Sequence, residues 1–192
     1  DPILQYDYGL GEDAQGVISL EPVYTGSGGG GGVQEWIDWF LPMMAQSESI
    51  NFNYIQAGQE NSFGWDAMKE GLSMQMPVFR KLTDEGCFRV ETLSESGRWF
   101  KEHFPVTPAT SVTAPDDFLD EGKGAVWYNS RYYRVGLYWS GEDFLIRDIH
   151  MFDEKIESAY LRKALTTTYC EYITPPFIDG FFWSTQNERA GL

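Results

Sequence analysis

The first half of the chain combines strand-like and helix-like patterns. Apolar and polar positions alternate over residues 50–55, as in a strand, and a polar turn and Asp66, a candidate helix N-cap, follow. Residues 33–45 and 67–86 carry apolar side chains at helical spacing. Proline disrupts helix interiors, so Pro42 is predicted to kink or shorten the first of these helices and Pro77 to divide the second.

Further short segments extend this pattern to about residue 104. Residues 3–8, 16–24 and 87–90 have the composition of strands, and Ser94 is the predicted N-cap of a helix that contains Trp99 and His103. Strands that alternate with helices indicate parallel βα units. Residues 1–104 are therefore predicted to be a portion of a parallel (β/α) barrel.

The pattern changes after residue 104. Residues 105–123 are rich in proline, serine and threonine, which predicts a connecting loop. Strand patterns joined by short turns then dominate residues 124–192, which indicates an antiparallel β-domain of sandwich type; the predicted strands are 124–128, 131–139, 144–152, 165–173 and 177–184. The predicted fold class is α/β, a partial parallel (β/α) barrel followed by an antiparallel β-domain.

Charge and composition restrict the partners. The net charge of −15 over 192 residues argues against nucleic acid and against anionic membranes, and no apolar run is long enough to span a bilayer. Cys87 and Cys170 match no metal or redox motif and are interpreted as inert core residues. No cofactor is predicted. Strand-like residues within the first ten positions suggest a fragment of a longer, acidic protein.

A glycine-rich run occupies residues 25–32. It is either a flexible linker, a loop whose backbone approaches another segment closely, or an engineered join. A phosphate-binding loop would require Lys-Ser or Lys-Thr after the glycines, and Val33-Gln34 stands there instead. Phosphate binding is therefore rejected.

Four carboxylates follow predicted strands: Asp7, Glu21, Glu60 and Glu91. Strand ends of a parallel barrel converge on one face, where two carboxylates about 5–10 Å apart can act as general acid and as base or nucleophile. Glu60, in the turn before Asp66, is the first candidate. The alternative is that these carboxylates only solvate turns and cap helices.

The aromatic content of 7 Trp, 11 Tyr and 13 Phe predicts either a heavy core or platforms that stack on sugar rings. The candidate substrate-binding residues are Gln59, Asn61, Trp65, Trp36 and Tyr133. His150 lies near Asp148 and Asp153, but within one strand only positions 148 and 150 share a face. No metal site is therefore predicted, and both histidines are interpreted as structural.

Residues 90–111, VETLSESGRWFKEHFPVTPATS, together with the βα units and the aromatic β-domain, resemble a known family. The architecture over residues 1 to about 184 resembles the C-terminal part of carbohydrate-active enzymes of the polysaccharide-deacetylase/glycoside-hydrolase type, with a (β/α)7-type barrel and a trailing β-domain. The metal pattern of the deacetylases, an Asp with paired His, is absent from this sequence. The resemblance therefore implies glycoside hydrolysis rather than deacetylation.

The expected function is part of a glycosidase-like protein that hydrolyses a neutral oligo- or polysaccharide. One alternative is a non-catalytic carbohydrate-binding or accessory module that uses exposed aromatic side chains. Another is a structural domain that packs against the rest of a larger parent chain. Two converging strand-end carboxylates favour the enzyme, and an exposed line of aromatic rings without such a pair favours the binding module.

Overall fold

The computed structural model of the chain describes residues 20–23, 30–57, 63–167, 176–180 and 191–192. These residues form three α-helices, a five-stranded sheet, and 3-10 turns at Gly30–Gly32 and Ala159–Leu161. The elements are α1 (Gln34–Gln46), α2 (Trp65–Asp84), α3 (Leu93–His103), β1 (Thr110–Ala114), β2 (Lys123–Asn129), β3 (Tyr133–Ser140), β4 (Asp143–Met151) and β5 (Pro176–Asp179). None of the described helices is both long and apolar enough to traverse a membrane.

The predicted parallel barrel is wrong. The strands of the described ranges form one open sheet in the order β1-β2-β3-β4-β5, and each strand runs antiparallel to the next. Residues 50–55 and 87–90, predicted as barrel strands, are irregular. Residues 3–8 lie outside the described residues, as does most of the segment 16–24.

Packing against a helix explains the misleading alternation in residues 50–55. The ring of Phe52 lies 5.5 Å from that of Trp99, 5.8 Å from Phe100 and 5.5 Å from Phe104, on α3 and at its end. Ile50 and Tyr54, which would share a face with Phe52 in a strand, are exposed. The apolar residue Phe52 therefore serves packing against three aromatic rings, and no described strand pairs with this segment.

The antiparallel half of the prediction agrees with the structure. Short turns join β2 to β3 and β3 to β4, and such turns can connect only antiparallel neighbours. The strand β1 falls inside the predicted connecting loop of residues 105–123, so the sheet begins earlier than expected. Residues 165–167 of a predicted strand are irregular, and the rest of that strand lies outside the described residues.

Both long helices are confirmed. Pro77 lies inside an uninterrupted α2, so the prediction that it divides the helix is wrong. The buried Gln75 and Phe79 on either side hold this part of the helix against the core, which offsets the hydrogen bond that proline removes. The helix ends at Asp84 with Glu85 as its C-cap; Gly86 follows with a φ of +74°, which suits glycine, and the amide of Cys87 donates to the carbonyl of Leu82 at 2.9 Å.

The N-cap of the third helix lies two residues before the predicted one. Thr92, not Ser94, is the N-cap: its hydroxyl accepts from the amide of Glu95 at 3.3 Å, and its own amide donates to the Glu95 carboxylate at 2.8 Å. This reciprocal pair satisfies two amides that a helix start leaves without partners.

One hydrophobic core joins the helices to the sheet. Its buried members are Leu20, Trp36, Ile37, Phe40, Leu41, Met44, Phe79, Leu82, Ala114, Ala125, Trp127 and Tyr138. The helix α1 supplies five of these residues, so it is the element that covers the sheet. Apolar burial of this kind supplies most of the stabilising free energy of folding.

Two glycines near the end of the glycine-rich run, Gly30 and Gly31, approach other residues closely. A Cβ atom on Gly30 would lie 2.0 Å from Cδ1 of Trp36, and one on Gly31 would lie 2.3 Å from the carbonyl oxygen of Glu21. The buried amide of Gln75 donates to the carbonyls of Leu20 and Gly31 at 3.0 and 2.6 Å. Close backbone approach is therefore confirmed for Gly30 and Gly31, whereas residues 24–29 lie outside the described part.

Candidate functional site

The two faces of the sheet differ in burial. Trp127 and Tyr138 lie on one face, the inner face, and pack with α1 in the core. Side chains that alternate with them point to the opposite face, called the outer face below. The register assigns to it Val126, Tyr128, Tyr133, Val135, Leu137, Trp139, Phe144, Ile146, Ile149 and Met151.

None of these ten side chains of β2, β3 and β4 is fully buried. Phe144 is 58% exposed, Tyr133 39% and Met151 37%. The other seven side chains are partly exposed, and apolar surface that is left open to solvent can mark a site of interaction. The outer face is therefore the first candidate site.

A flat aromatic platform lies at one end of the outer face. Gly124 and Trp139 are cross-strand partners, and a Cβ atom on Gly124 would lie 2.1 Å from Cζ2 of Trp139. The indole ring therefore lies across the glycine backbone, along the sheet. Phe144 on β4 is the cross-strand partner of Trp139 on the side away from Gly124, and it extends the aromatic surface.

A second aromatic pair lies at the opposite end of β3. The rings of Tyr128 and Tyr133 are 5.6 Å apart with an interplanar angle of 34°. Partial burial raises the pKa of Tyr128 above its usual value, and the neighbouring Tyr133 raises it further. Tyr133, a predicted substrate-binding residue, thus lies on the exposed aromatic face, six residues and about 20 Å from Trp139 along an extended strand.

The inner face carries a polar cluster beyond the part that α1 covers. Arg134 donates from Nε and Nη2 to the two carboxylate oxygens of Asp148, at 2.6 and 3.2 Å. Asp148 is only 1% exposed, and the guanidinium of Arg134 lies 5.4 Å from the ring centroid of Trp127. Gly136 is the cross-strand partner of Asp148 and leaves room for this arrangement. A side chain at position 136 would place its Cβ only 3.1 Å from Cβ of Asp148.

His150 and Asp179 complete this cluster. Nε2 of His150 lies 3.1 Å from Oδ1 of Asp148 and 3.9 Å from Oδ2 of Asp179. Asp179 belongs to β5 and pairs with Asp148 across the β4–β5 seam. One potential ligand atom from each of the three residues lies within 4.8 Å of the others. Imidazole and carboxylate groups at this separation can hold a divalent cation.

The structure describes two of the four predicted catalytic carboxylates, Glu21 and Glu91. Glu91 precedes α3, where it accepts from the Ser96 hydroxyl at 3.1 Å and lies 3.0 Å from Nε of Arg89. Glu21 lies in a turn next to the Gly30–Gly32 segment. Asp7 and Glu60 lie outside the described residues. The barrel geometry that was expected to bring these four groups together is absent from the described part of the chain.

The predicted substrate-binding residues are separated. Trp36 is 0% exposed and stacks on Phe40 with ring centroids 5.2 Å apart, so a ligand has no access to it. Trp65 opens α2 and is 64% exposed. Gln59 and Asn61 lie outside the described residues.

Partial signals for the residues that were not predicted are present in the sequence. The alternation of aromatic residues in β2 and β3 indicates that some face away from the core, but only the register shows that Gly124 lies under Trp139. The spacing of Asp148 and His150 places both on one face, whereas Asp179 joins them only through the pairing of β5. The third partner considered from sequence, Asp153, instead accepts from the amide of Lys155 in a turn.

Comparison with protein-family models, with curated proteins and with solved structures gives no match to this chain.

Proposed function

We propose that the chain is a carbohydrate-binding or accessory module that holds a neutral glycan on the outer face of its sheet. The observation that carries this proposal is the aromatic surface formed by the partly exposed Trp139, whose ring lies along the sheet over Gly124, and the exposed Phe144. A sugar ring presents flat C–H surfaces, and these stack on an aromatic face without requiring a charged partner.

The arrangement of aromatic side chains supports an elongated ligand. Trp139 and Phe144 stand at one end of the face, and Tyr128 and Tyr133 stand at the other. Aromatic contacts about 20 Å apart along β3 suit several successive units of an oligosaccharide better than a single sugar. The net charge of −15 agrees with a neutral ligand because it disfavours polyanions.

Packing against another protein segment is a second candidate role for the same face. Between the two aromatic ends lie aliphatic side chains, among them Val135, Leu137 and Ile149. Aliphatic surface favours contact with apolar protein side chains. This role corresponds to a structural domain that packs against a larger parent chain.

Hydrolysis of the glycan remains a prediction without geometric support. It depended on strand-end carboxylates, and neither Glu21 nor Glu91 follows a strand in the described structure. Loss of cleavage of a neutral oligosaccharide on Glu60→Gln would revive this hypothesis.

Calorimetric titration of neutral oligosaccharides of increasing length tests the binding proposal. Trp139→Ala and Tyr133→Ala should each weaken binding several-fold to about tenfold, because aromatic contacts contribute about 0.5–1.5 kcal/mol. Tyr160→Ala, an exposed aromatic residue outside the sheet, is the matched control and should leave affinity unchanged.

The pattern of losses separates the hypotheses. Binding that depends on Trp65 but not on Trp139 would place the ligand at the start of α2 and contradict the proposal. Absence of heat with every oligosaccharide would also contradict it and would favour protein packing on the outer face.

A further inference from the structure

The structure assigns a divalent transition-metal site to Asp148, His150 and Asp179, at the seam between β4 and β5. The site lies on the inner face of the sheet and is independent of glycan binding on the outer face. It includes His150, which was interpreted as structural from the sequence, and Asp179, which the sequence analysis did not consider.

The spacing of the three ligand atoms fits a single metal ion. Two ligand atoms that each lie about 2.1 Å from a tetrahedral zinc ion are about 3.4 Å apart. Nε2 of His150 lies 3.1 Å from Oδ1 of Asp148 and 3.9 Å from Oδ2 of Asp179. One of these distances is slightly shorter and the other slightly longer than the separation expected around zinc. The ligand atoms of Asp148 and Asp179 lie within 4.8 Å of each other, so side-chain rotation that brings these two carboxylates together would place all three atoms around one ion.

Burial favours strong coordination of a cation at this position. Two carboxylates, Asp148 and Asp179, offer oxygen ligands there, and Arg134 forms an ion pair with Asp148. The side chain of Asp148 is 1% exposed and that of His150 is 12% exposed, so little water competes for their ligand atoms. In such surroundings the attraction between carboxylate and metal is weakly screened.

Arg134 would position one of the ligands. Its two hydrogen bonds hold the Asp148 carboxylate, and each carboxylate oxygen has a further lone pair available for a metal. Groups that hydrogen-bond to metal ligands orient them in this way in many metal sites. The bidentate ion pair is therefore compatible with a metal ion.

The mixture of one imidazole and two carboxylates indicates the class of metal. Imidazole suits zinc and other first-row transition ions, whereas Mg²⁺ prefers six oxygen ligands in octahedral geometry. Three protein ligands leave the fourth tetrahedral position for water or for a ligand. We therefore expect Zn²⁺ to bind and Mg²⁺ not to compete with it.

Calorimetric titration of Zn²⁺ into the chelator-treated chain at neutral pH tests the proposal. We expect one ion per chain and a Zn²⁺-dependent rise in Tm, because a ligand that binds only the folded state stabilises it. His150→Gln and Asp179→Asn should each weaken Zn²⁺ binding at least about 100-fold. Mutation of a residue that only hydrogen-bonds to a metal ligand already weakens metal affinity about 10–100-fold, and loss of a ligand itself should cost more.

The chain provides a matched control in its second histidine. His103 is exposed on α3, where Nδ1 lies 2.8 Å from the carbonyl oxygen of Trp99, and His103→Gln should leave Zn²⁺ affinity unchanged. Asp179 is partly exposed at the sheet edge, so Asp179→Asn should fold even if His150→Gln does not. Absence of binding, or binding that survives Asp179→Asn, or binding that His103→Gln abolishes, would overturn the proposal.

Discussion

The indole ring of Trp139 covers the backbone of Gly124 so closely that a Cβ atom at position 124 would lie 2.1 Å from the ring. The two residues are direct partners in the β2–β3 ladder. The glycine thus determines the orientation of the tryptophan on the outer face.

Gly124→Ala is therefore expected to tilt the indole away from the sheet. The substitution should change tryptophan fluorescence, weaken oligosaccharide binding and lower the free energy of unfolding by about 1–3 kcal/mol, as overpacking does. Gly97→Ala is the control, because no atom lies within 4 Å of its added Cβ and Gly97 lies inside α3. That variant should be slightly more stable. Unchanged fluorescence and affinity in Gly124→Ala would show that the contact does not set the ring's orientation.

Arg134→Met is expected to cost about 3–5 kcal/mol of the free energy of unfolding in the metal-free chain, because it leaves the buried Asp148 carboxylate without its ion pair. Urea denaturation measures this change. The control is Arg131→Met, which removes an exposed ion pair with Glu154 and should have little effect. Similar losses of the free energy of unfolding in the two variants would mean that burial of Asp148 adds nothing to the Arg134–Asp148 ion pair.

Gln75→Ala is expected to cost about 1–3 kcal/mol in urea unfolding, because the carbonyls of Leu20 and Gly31 lose their buried donor. Gln46→Ala, at the exposed end of α1, is the control and should have a small effect. Equal stability of Gln75→Ala and wild type would contradict a structural role for these two hydrogen bonds.

The capping box of α3 predicts a pH dependence. Hydrogen bonds from the Thr92 backbone and side chain lower the pKa of Glu95 below 4.5, so the folded state prefers the ionised carboxylate. A lowered pKa means that this stabilisation is complete above pH 4.5 and is lost as the pH falls through the folded-state pKa.

Thermal unfolding of wild type and Glu95→Ala at several pH values tests this dependence. The difference in Tm between them should be largest near neutral pH and should shrink below pH 4.5. Glu102→Ala, on the last turn of the same helix, should show no acid-dependent loss. A difference for Glu95→Ala that is constant with pH would contradict ionic capping.

Local patterns were sufficient for part of this fold. Helical spacing of apolar residues predicted α1 and α2, and turn residues between aromatic segments predicted the antiparallel β2–β3–β4 arrangement. Both signals depend on neighbours a few residues apart, so the sequence carries them directly. Part of the candidate aromatic site could be predicted for the same reason, since the alternation of aromatic residues indicated that some of them, with Tyr133 as a candidate, lie outside the core.

Tertiary contacts decided the rest. Residues 50–55 have a strand-like pattern, but Phe52 meets the aromatic rings of α3, and the predicted barrel rested on treating such segments as strands. Asp179 reaches Asp148 only because β5 joins the edge of the sheet, 31 positions along the chain. Strand pairing and side-chain packing join residues distant in sequence, and no local periodicity encodes which segments will meet.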